Sequence, residues 1–164
     1  MNAQVLFDSQ SNANPSNWYI VDDVVMGGRS KGQFEITEEG HTKFYGKVSL
    51  ENNGGFSSIR YGIPKTQVKP EQSIKVLLKG DGNRYQFRVK NQRNQYYSYI
   101  ATFETNGNWQ TCEFQLKNLY PTFRGRRLDL PNFSHNSLEE ITFLIGNKKS
   151  QEFELVISKI DLLD

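Results

Sequence analysis

The sequence predicts an all-β domain built as a β-sandwich, and three observations support this prediction. Apolar residues alternate with polar ones in short stretches, as Tyr85, Phe87 and Val89 do, which is the period of a strand with one buried face. Turn-forming glycine, asparagine and proline separate these stretches at intervals of roughly 8–12 residues. No segment carries the apolar stripe of a helix of four turns.

The individual elements follow from this alternation, taken in chain order. A hairpin is predicted around Asn106-Gly107-Asn108, because Asn and Gly tolerate the positive φ angles of tight turns. Short helical pieces are expected near Asn14–Trp18 and at Ser137–Glu140, where Ser137 would cap a turn. The predicted strands are Gly32–Thr37, Thr42–Leu50, Phe56–Tyr61, Ser73–Leu78, Tyr85–Lys90, Tyr97–Phe103, Trp109–Leu116, Glu140–Ile145 and Glu152–Ile160.

The length of the chain favours one domain. It has 164 residues and a mass of 19.0 kDa, so we expect residues 1–164 to share a single core. Hydrophobic residues make up only 36% of the chain, but aromatic residues make up 13%. Because Phe, Tyr and Trp each bury a large area, the core is expected to consist largely of aromatic side chains.

Composition argues against several classes of protein. No apolar run approaches the roughly 18 residues of a membrane span, and the N-terminal residues lack the pattern of a signal or transit peptide. Cys112 is the single cysteine, so a disulfide within the chain and a thiolate zinc site are not expected. These features fit a cytoplasmic protein. The net charge of +2 and the pI of about 8.6 are too mild to indicate nucleic-acid binding.

Two glycine-rich segments are candidates for a site. Residues 25–32 contain a glycine pair but lack the residue order and the following helix of a phosphate loop, so a tight turn is the simpler interpretation. Asn52-Asn53-Gly54-Gly55 is either a plain loop or a rim that offers amide groups to a polar ligand.

Asp22 and Asp23 precede the glycine pair of the first segment. Neighbours on an extended segment point to opposite sides, so one is expected to fix the turn and the other to face solvent.

Patterns for catalysis or metal binding are weak. His41 and His135 are the only histidines, and neither has a second ligand at a metal-binding spacing. No Gly-x-Ser-x-Gly segment marks a nucleophilic serine. A calcium site stays an alternative if Asp8, Asp161 and Asp164 meet at adjacent chain ends. We expect no enzymatic activity, no metal and no cofactor.

Basic residues form two groups. One lies on and beside a predicted hairpin, opposite the tyrosines at 96, 97 and 99, and consists of Arg84, Arg88, Lys90 and Arg93. It is interpreted as the solvated face of a half-buried sheet, with a surface that stacks bases or sugars as the alternative. The other group is Arg124-Gly125-Arg126-Arg127. Its guanidinium groups would either bind a carboxylate of a partner or brace the loop.

Several blocks, in this order along the chain, resemble one family. They are Trp18, Asp23-Val24-Val25-Met26-Gly27-Gly28-Arg29-Ser30, Phe44-Tyr45-Gly46, Asn52-Asn53-Gly54-Gly55-Phe56-Ser57-Ser58-Ile59-Arg60, Gly80-Asp81-Gly82, Tyr85, Trp109, Phe123-Arg124-Gly125-Arg126 and Phe153-Glu154-Leu155 with Ile160. Through them nearly the whole chain resembles the complex I intermediate-associated protein 30 family, although Val24 stands where the family often has a small residue. The resemblance implies a galactose-binding-domain-like jelly-roll β-sandwich. For mitochondrial members it implies a non-enzymatic assembly factor for NADH:ubiquinone oxidoreductase.

The leading hypothesis is a non-catalytic binding domain, an assembly factor or chaperone for a respiratory or other protein complex. The two glycine-rich loops and the arginine segment are expected to share one surface that binds a protein partner. The residues assigned to it are Trp18, Asp23, Arg29, Ser30, Asn52, Asn53, Arg60, Arg124 and Arg126.

Two alternatives belong to other classes. A carbohydrate-binding module would stack aromatic rings on sugars, and the candidate rings are Tyr96, Tyr97, Tyr99 and Trp109. An enzyme acting on a small polar substrate would use Asp23 or a glutamate as its base. Nucleic acid is the least favoured ligand.

Overall fold

The computed structural model describes residues 3–10, 17–23 and 27–164, without the side chain of Asn53. Residues 14–16 of the expected helical piece, Val24, and Val25 and Met26 of the first glycine-rich segment lie outside the described residues. The described part of the chain forms β1 (Ala3–Asp8), β2 (Trp18–Asp22), β3 (Lys31–Ile36), β4 (Thr42–Val48), β5 (Ser57–Gln67), β6 (Ser73–Lys79), β7 (Arg84–Lys90), β8 (Ser98–Glu104), β9 (Trp109–Gln115), β10 (Tyr120–Phe123), β11 (Arg126–Arg127), β12 (Ser137–Ile145) and β13 (Gln151–Leu163). Short 3-10 turns at Glu51–Asn53 and Leu116–Asn118 complete the regular structure.

These strands form two antiparallel sheets. Within the described residues, one sheet has six strands in the order β3-β4-β13-β6-β9, with β1 also paired to β13. The other has seven strands in the order β11-β10-β8-β7-β12-β5-β2. Strands distant in sequence are neighbours in both sheets, as β5 with β12 and β4 with β13, which is typical of a jelly roll.

The long strand β13 organises the six-stranded sheet. Its first half pairs with β4, placing Leu155 opposite Phe44. Its second half pairs with β1 on the same side, placing Ile160 opposite Phe7, while β6 pairs along the other side, placing Ile160 opposite Val76. The apolar residues of these neighbouring strands therefore meet on one face of the sheet.

The core lies between the two sheets and is rich in aromatic rings. Phe87 of the seven-stranded sheet stacks on Phe114 of the six-stranded sheet, with ring centroids 4.2 Å apart. At another place Phe7 meets the edge of Trp18 at 5.2 Å and that of Tyr61 at 5.6 Å. Aromatic pairs add stabilisation beyond the area that they bury, so these contacts hold the two layers together.

The fold class predicted from the sequence is confirmed: the chain is an all-β jelly-roll sandwich. Strands β3 to β9, β12 and β13 lie where the alternation predicts them. The strands β1, β2, β10 and β11 were not predicted. The helical turn expected at Ser137–Glu140 was wrong, because these residues begin β12 and pair with β5, where Ser137 lies opposite Gln67. Within the described ranges, no helix has the length and apolarity needed to cross a membrane.

Candidate functional site

The two glycine-rich loops meet around one buried carboxylate. Asp23 is 0% exposed; its Oδ1 accepts the N–H of Ser30 at 2.9 Å and its Oδ2 accepts the N–H groups of Gly55 at 2.6 Å and Phe56 at 3.2 Å. The hydroxyl of Ser30 also donates to this carboxylate. We call Asp23, Gly28, Ser30, Gly54 and Gly55 the Asp23 junction. It joins the loop after β2 to the loop before β5.

Glycine is required at two positions of the Asp23 junction because of close approach. A Cβ atom built at Gly28 or at Gly54 would overlap the carboxyl group of Asp23. The hydroxyl of Ser30 also accepts the N–H of Ser49 at 2.9 Å, which ties the end of β4 to the same point. The glycine pairs therefore allow the loops to close on the carboxylate.

The two neighbouring aspartates differ in their pKa. Burial alone would raise the pKa of Asp23, but the hydrogen bonds from Ser30, Gly55 and Phe56 outweigh it, and the net pKa is lowered. Burial raises the pKa of Asp22, although that carboxylate accepts hydrogen bonds from the Ser57 hydroxyl and from the N–H of Gly32 at 2.9 Å. Asp23 fixes the turn as predicted, whereas Asp22 is half-buried rather than free in solvent.

Three residues assigned to the binding surface are buried. Asp23 and Ser30 lie inside the Asp23 junction, and Trp18 is 3% exposed in the aromatic core. The prediction that these three side chains form part of a binding surface was wrong, because each is enclosed by the loops or the core that it stabilises. Asp23 acts on the surface indirectly, by fixing the backbone at Gly55 and Phe56.

A groove crosses the outer face of the seven-stranded sheet beside the Asp23 junction. It has a volume of about 660 Å³, and its wall includes Gly54, Gly55 and Phe56. Its basic lining residues are Arg60, Arg88, Lys90, Arg124 and Lys148. A cleft of similar volume lies between β1 and the end of β5, but it has only two basic lining residues, Lys65 and Lys69, and both are exposed.

Strand register brings the basic residues of the groove together. Arg60 on β5 and Arg88 on β7 both lie opposite Thr142 of the intervening strand β12. Two residues further along the same face, Glu140 of β12 lies opposite Lys90 of β7. We call Arg60, Arg88, Lys90 and Glu140 the cationic floor.

Glu140 is the acidic member of the cationic floor. It is 2% exposed, and its Oε2 accepts the hydroxyl of Tyr19 at 2.6 Å. Its Oε1 lies 3.6 Å from Nη1 of Arg60. The Nε of Arg60 is buried and has no hydrogen-bond partner among the described residues. Glu140 therefore compensates Arg60 only in part.

Arg88 has no acidic partner among the described residues. Its Nε and Nη2 donate to Oε1 of Gln86 at 2.9 and 2.6 Å, and Gln86 is neutral. Within the described part of the chain, no carboxylate lies within 4.0 Å of the charged nitrogens of Arg88 or Lys90. Burial, followed by repulsion from Arg60, lowers the pKa of Arg88 to about 10 and lowers that of Lys90. Arg88 therefore stays protonated near neutral pH, at a cost in solvation.

The rim of the groove carries two strained basic residues. Arg124 has φ 50° in the tight turn between β10 and β11, and Lys148 has φ 60° between β12 and β13. The left-handed region is unfavourable for such residues by roughly 1 kcal/mol. Arg124 also lies over the ring of Phe123, at 5.2 Å from its centroid.

The aromatic residues assigned to sugar binding do not form one platform. Tyr96 is 63% exposed, lines the groove and contacts Phe123 with centroids 5.1 Å apart. Tyr99 is buried. Trp109 is exposed, but it lies on β9 of the six-stranded sheet. Tyr97 is half-buried, packs against Tyr96 with centroids 4.9 Å apart and does not line the groove. Tyr96 is thus the one ring of this set that lines the groove.

The other predicted surface residues are dispersed. Arg60 and Arg124 both line the groove. Arg29 is exposed and lies 3.8 Å from Glu51, and Asn52 is exposed in the 3-10 turn. Arg126 is exposed on β11, outside the residues that line the groove. The side chain of Asn53 lies outside the described residues.

Two elements of the groove were missed or interpreted differently. Lys148 was not singled out, and Arg88 with Lys90 was interpreted as a solvated sheet face. The sequence did contain an indication of Arg88 and Lys90, because both occupy the polar positions of the alternating strand β7. Arg84 and Arg93 of the same basic group lie elsewhere: Arg84 contacts Glu104 at 3.1 Å, and Arg93 donates to the carbonyl of Ile63.

The histidines, the cysteine and the aspartate at the chain ends lie apart from one another in the described structure. No group of three or more His, Cys, Asp or Glu side chains suited to a metal occurs among the described residues. His41 packs against Trp109 at 5.1 Å between centroids, and His135 hydrogen-bonds the hydroxyl of Tyr99 at 2.7 Å. Cys112 packs against the core, and burial raises the pKa of its thiol. At the paired chain ends, Asp161 contacts Lys159 at 3.7 Å.

The fold and the groove together define a jelly-roll β-sandwich domain with a surface cleft on one sheet. A family model for complex I intermediate-associated protein 30 (CIA30) matches residues 5–157, and the chain belongs to this family. The sequence has no significant match among curated proteins.

Solved structures share the fold at low sequence identity. The family 11 carbohydrate-binding module of cellulosomal cellulase Lic26A-Cel5E of Clostridium thermocellum has 16% identity and a TM-score of 0.71, over 99% of this chain and 94% of that chain. A family 11 module from Clostridium thermocellum in complex with a beta-1,3-1,4-mixed-linked tetrasaccharide has 16% identity and a TM-score of 0.70, over 98% and 95%. The agarase AgWH50C has 12% identity and a TM-score of 0.62, over 100% of this chain and 25% of that chain.

Proposed function

We propose that this protein is a non-catalytic binding domain that holds a protein partner in the groove, in the manner of an assembly factor or chaperone. The observation that carries the proposal is the convergence of basic side chains from two strands and two loops on one surface. Convergent charge on a rigid sheet suits recognition, because it attracts a complementary partner and sets its orientation. The cytoplasmic location stays a prediction.

The family supports an assembly role for the groove. Its description refers to intermediates of complex I, so the natural partners are subunits or partly assembled forms of a respiratory or other complex. The chemistry of the groove fits such a partner, since it offers charge and hydrogen-bond donors rather than a nucleophile beside a base.

The test compares partner capture from a native extract by the immobilised wild type and by two variants of equal charge. Arg124→Gln with Lys148→Gln removes two charges from the rim of the groove. Lys75→Gln with Lys79→Gln removes two charges from exposed residues of β6, on the other sheet. We expect the rim variant to lose partners that the wild type and the control retain, measured by quantitative mass spectrometry and then by titration of each purified partner. Equal recovery by all three proteins would contradict the proposal.

Carbohydrate binding is the second candidate function. The exposed ring of Tyr96 at the groove, next to Phe123, favours it, because sugars stack on such rings. Electrophoresis through a gel containing beta-1,3-1,4-mixed-linked glucan would measure it. If the groove binds glucan, Tyr96→Ala abolishes the retardation and Trp109→Ala on the other sheet preserves it. Unretarded wild type would eliminate this ligand.

A further inference from the structure

We propose that the cationic floor recognises an extended acidic segment of the partner, with two carboxylates two residues apart in its sequence. This inference rests on the proposed function of the groove and names the chemistry of its ligand. It is carried by the charge balance of the floor, by its unused hydrogen-bond donors and by the spacing of its basic side chains.

The charge balance of the floor is positive. Arg60, Arg88 and Lys90 share it with one carboxylate, Glu140, which leaves a formal excess of two positive charges. The carboxylate of Glu140 is already engaged by Tyr19 and Arg60. An incoming ligand therefore meets Arg88 and Lys90, neither of which has a carboxylate within 4.0 Å among the described residues, although Glu140 lies opposite Lys90 on the neighbouring strand.

The donors of Arg88 are held in a fixed plane. Two of its nitrogens donate to Oε1 of Gln86, which orients the guanidinium group and leaves Nη1 and the second N–H of Nη2 for a ligand. Arg60 lies on the other side of Thr142 from Arg88. Its buried Nε also has no hydrogen-bond partner among the described residues. A carboxylate is the group that binds a guanidinium plane by two parallel hydrogen bonds. Part of the desolvation cost of Arg88 would be recovered when such an anion binds.

The spacing of the basic residues matches an extended chain. Arg88 and Lys90 lie two residues apart on β7, so their side chains share a face and start about 7 Å apart. An extended peptide repeats its side chains on one face at the same interval. Gly54 and Gly55, which have no side chains, form part of the wall beside such a peptide, and Tyr96, 63% exposed, is the one ring of its set that lines the groove. These features favour a peptide over an acidic sugar.

Fluorescence anisotropy with labelled, end-blocked peptides tests the proposal. The ligand is an alternating Glu-Ala hexapeptide, and the neutral comparison is the Gln-Ala hexapeptide. The variants Arg88→Gln and Lys90→Gln change the floor. Arg84→Gln is the matched control, because it removes the same charge from the same strand at an exposed position outside the groove.

We expect the acidic peptide to bind the wild type and the neutral peptide not to bind. Loss of a bidentate contact weakens the affinity of Arg88→Gln by about tenfold or more, and that of Lys90→Gln by a smaller factor. Arg84→Gln stays within about twofold of the wild type. The midpoint of urea unfolding of Arg88→Gln is expected to equal or exceed that of the wild type. If it falls, Lys90→Gln decides the outcome, since the ammonium group of Lys90 has no ion pair within 4.0 Å among the described residues whose loss would unfold the floor.

Other outcomes would overturn the inference. Equal binding of the acidic and the neutral peptide would show that the floor does not recognise carboxylates. An equal loss of affinity for the acidic peptide in Arg84→Gln and Arg88→Gln would show the same. Competition by inorganic phosphate, but not by acetate at equal ionic strength, shows a phosphate site. Tighter binding of tri-galacturonate than of the peptide shows an acidic sugar site. If the acidic peptide does not bind but the rim variant still loses captured partners, the groove binds its partner by another chemistry. If the acidic peptide does not bind and the rim variant captures the same partners as the wild type, the proposed function is contradicted as well.

Discussion

Two neighbouring regions of this protein hold charged groups away from bulk water in opposite ways. In the Asp23 junction, burial would raise the pKa of the carboxyl group, but donors from Ser30, Gly55 and Phe56 lower it overall. In the cationic floor, Arg88 has only a neutral glutamine as its hydrogen-bond acceptor among the described residues, and burial lowers its pKa. Among the described residues, the charge of Asp23 is matched by hydrogen-bond donors and the charge of Arg88 is not matched by a carboxylate.

This difference distinguishes a structural charge from one suited to a ligand. A fully hydrogen-bonded carboxylate stabilises the loops that surround it, whereas a desolvated cation without a counter-charge costs stability. The two regions also share the backbone at Gly55 and Phe56, which Asp23 fixes and which forms a wall of the groove. The junction thus positions the wall of the groove.

The largest effect is expected from Asp23→Ala. Removal of the carboxylate leaves the backbone N–H groups of Ser30, Gly55 and Phe56 without their acceptor, at a cost of about 3 kcal/mol in the free energy of unfolding. Urea denaturation measures the loss. Asp129→Ala, at an exposed position, is the control and is expected to change stability by less than about 0.5 kcal/mol. Equal effects of the two variants would show that the Asp23 junction is not structural.

A steric effect follows from the close approach of Gly54 to Asp23. In Gly54→Ala the new Cβ overlaps the carboxyl group, which costs about 1–3 kcal/mol. The cost is expected to shrink in the Asp23→Ala background, because the colliding atoms are gone. Gly125→Ala has a positive φ of 78° but open space around its Cβ, so its cost is expected to be the same in both backgrounds. A double-mutant cycle by urea denaturation that shows no coupling for Gly54 would contradict the steric explanation.

In the cationic floor, removal of a charge is expected to change the free energy of unfolding in the opposite direction from its removal in the Asp23 junction. Arg88→Met removes a desolvated charge and keeps most of the side-chain volume, so the free energy of unfolding should be unchanged or higher by about 1 kcal/mol. Arg84→Met, at an exposed site, should lie within about 0.5 kcal/mol of the wild type. Thermal and urea unfolding measure both variants. A loss of more than about 1 kcal/mol in Arg88→Met would place Arg88 among the structural charges, beside Asp23.

The smallest effects concern pH. The pKa of Asp23 is lowered in the folded state, so its contribution to stability is present above its unfolded value, about 4, and is lost as the pH falls through the lower, folded value. The pKa of Asp22 is raised, so its contribution is present below the unfolded value and is lost as the pH rises through the folded one. Between about pH 2.5 and 6, the wild type should therefore gain stability relative to Asp23→Asn, and lose it relative to Asp22→Asn, as the pH rises. The measurement is the difference in the free energy of unfolding between the wild type and each variant at a series of pH values. If this difference changed in the same direction with pH for both variants, the opposite pKa shifts would be contradicted.

Much of the fold was predictable because alternation reports burial directly. Strands such as β7 bury every second residue, and the sequence displays that period. Strand β10 has only four residues and includes Pro121, and β11 has two, so neither carries a measurable period. The residues Ser137–Glu140 have a local capping pattern, but pairing with β5 determines their conformation. Long-range hydrogen bonds overrode the local preference there.

The site was less predictable because it depends on strand register. Asp23 and Ser30 are close in sequence, and their turn was expected. Nothing local shows that Gly55, 32 positions beyond Asp23, donates to the same carboxylate. In the same way, Arg60 and Arg88 become neighbours because both align with Thr142 on β12. A linear sequence shows the charges but not this alignment.

The central position of β13 sets the order in which the molecule can fold during synthesis. The six-stranded sheet needs residues 151–163 between β4 and β6, and β1 pairs with the same strand. Until those residues leave the ribosome, the apolar faces around Phe44 and Val76 stay uncovered, and contacts of such long range form slowly. All the strands of the seven-stranded sheet end at or before Ile145. The sheet that carries the groove can therefore form before the sheet that covers its core.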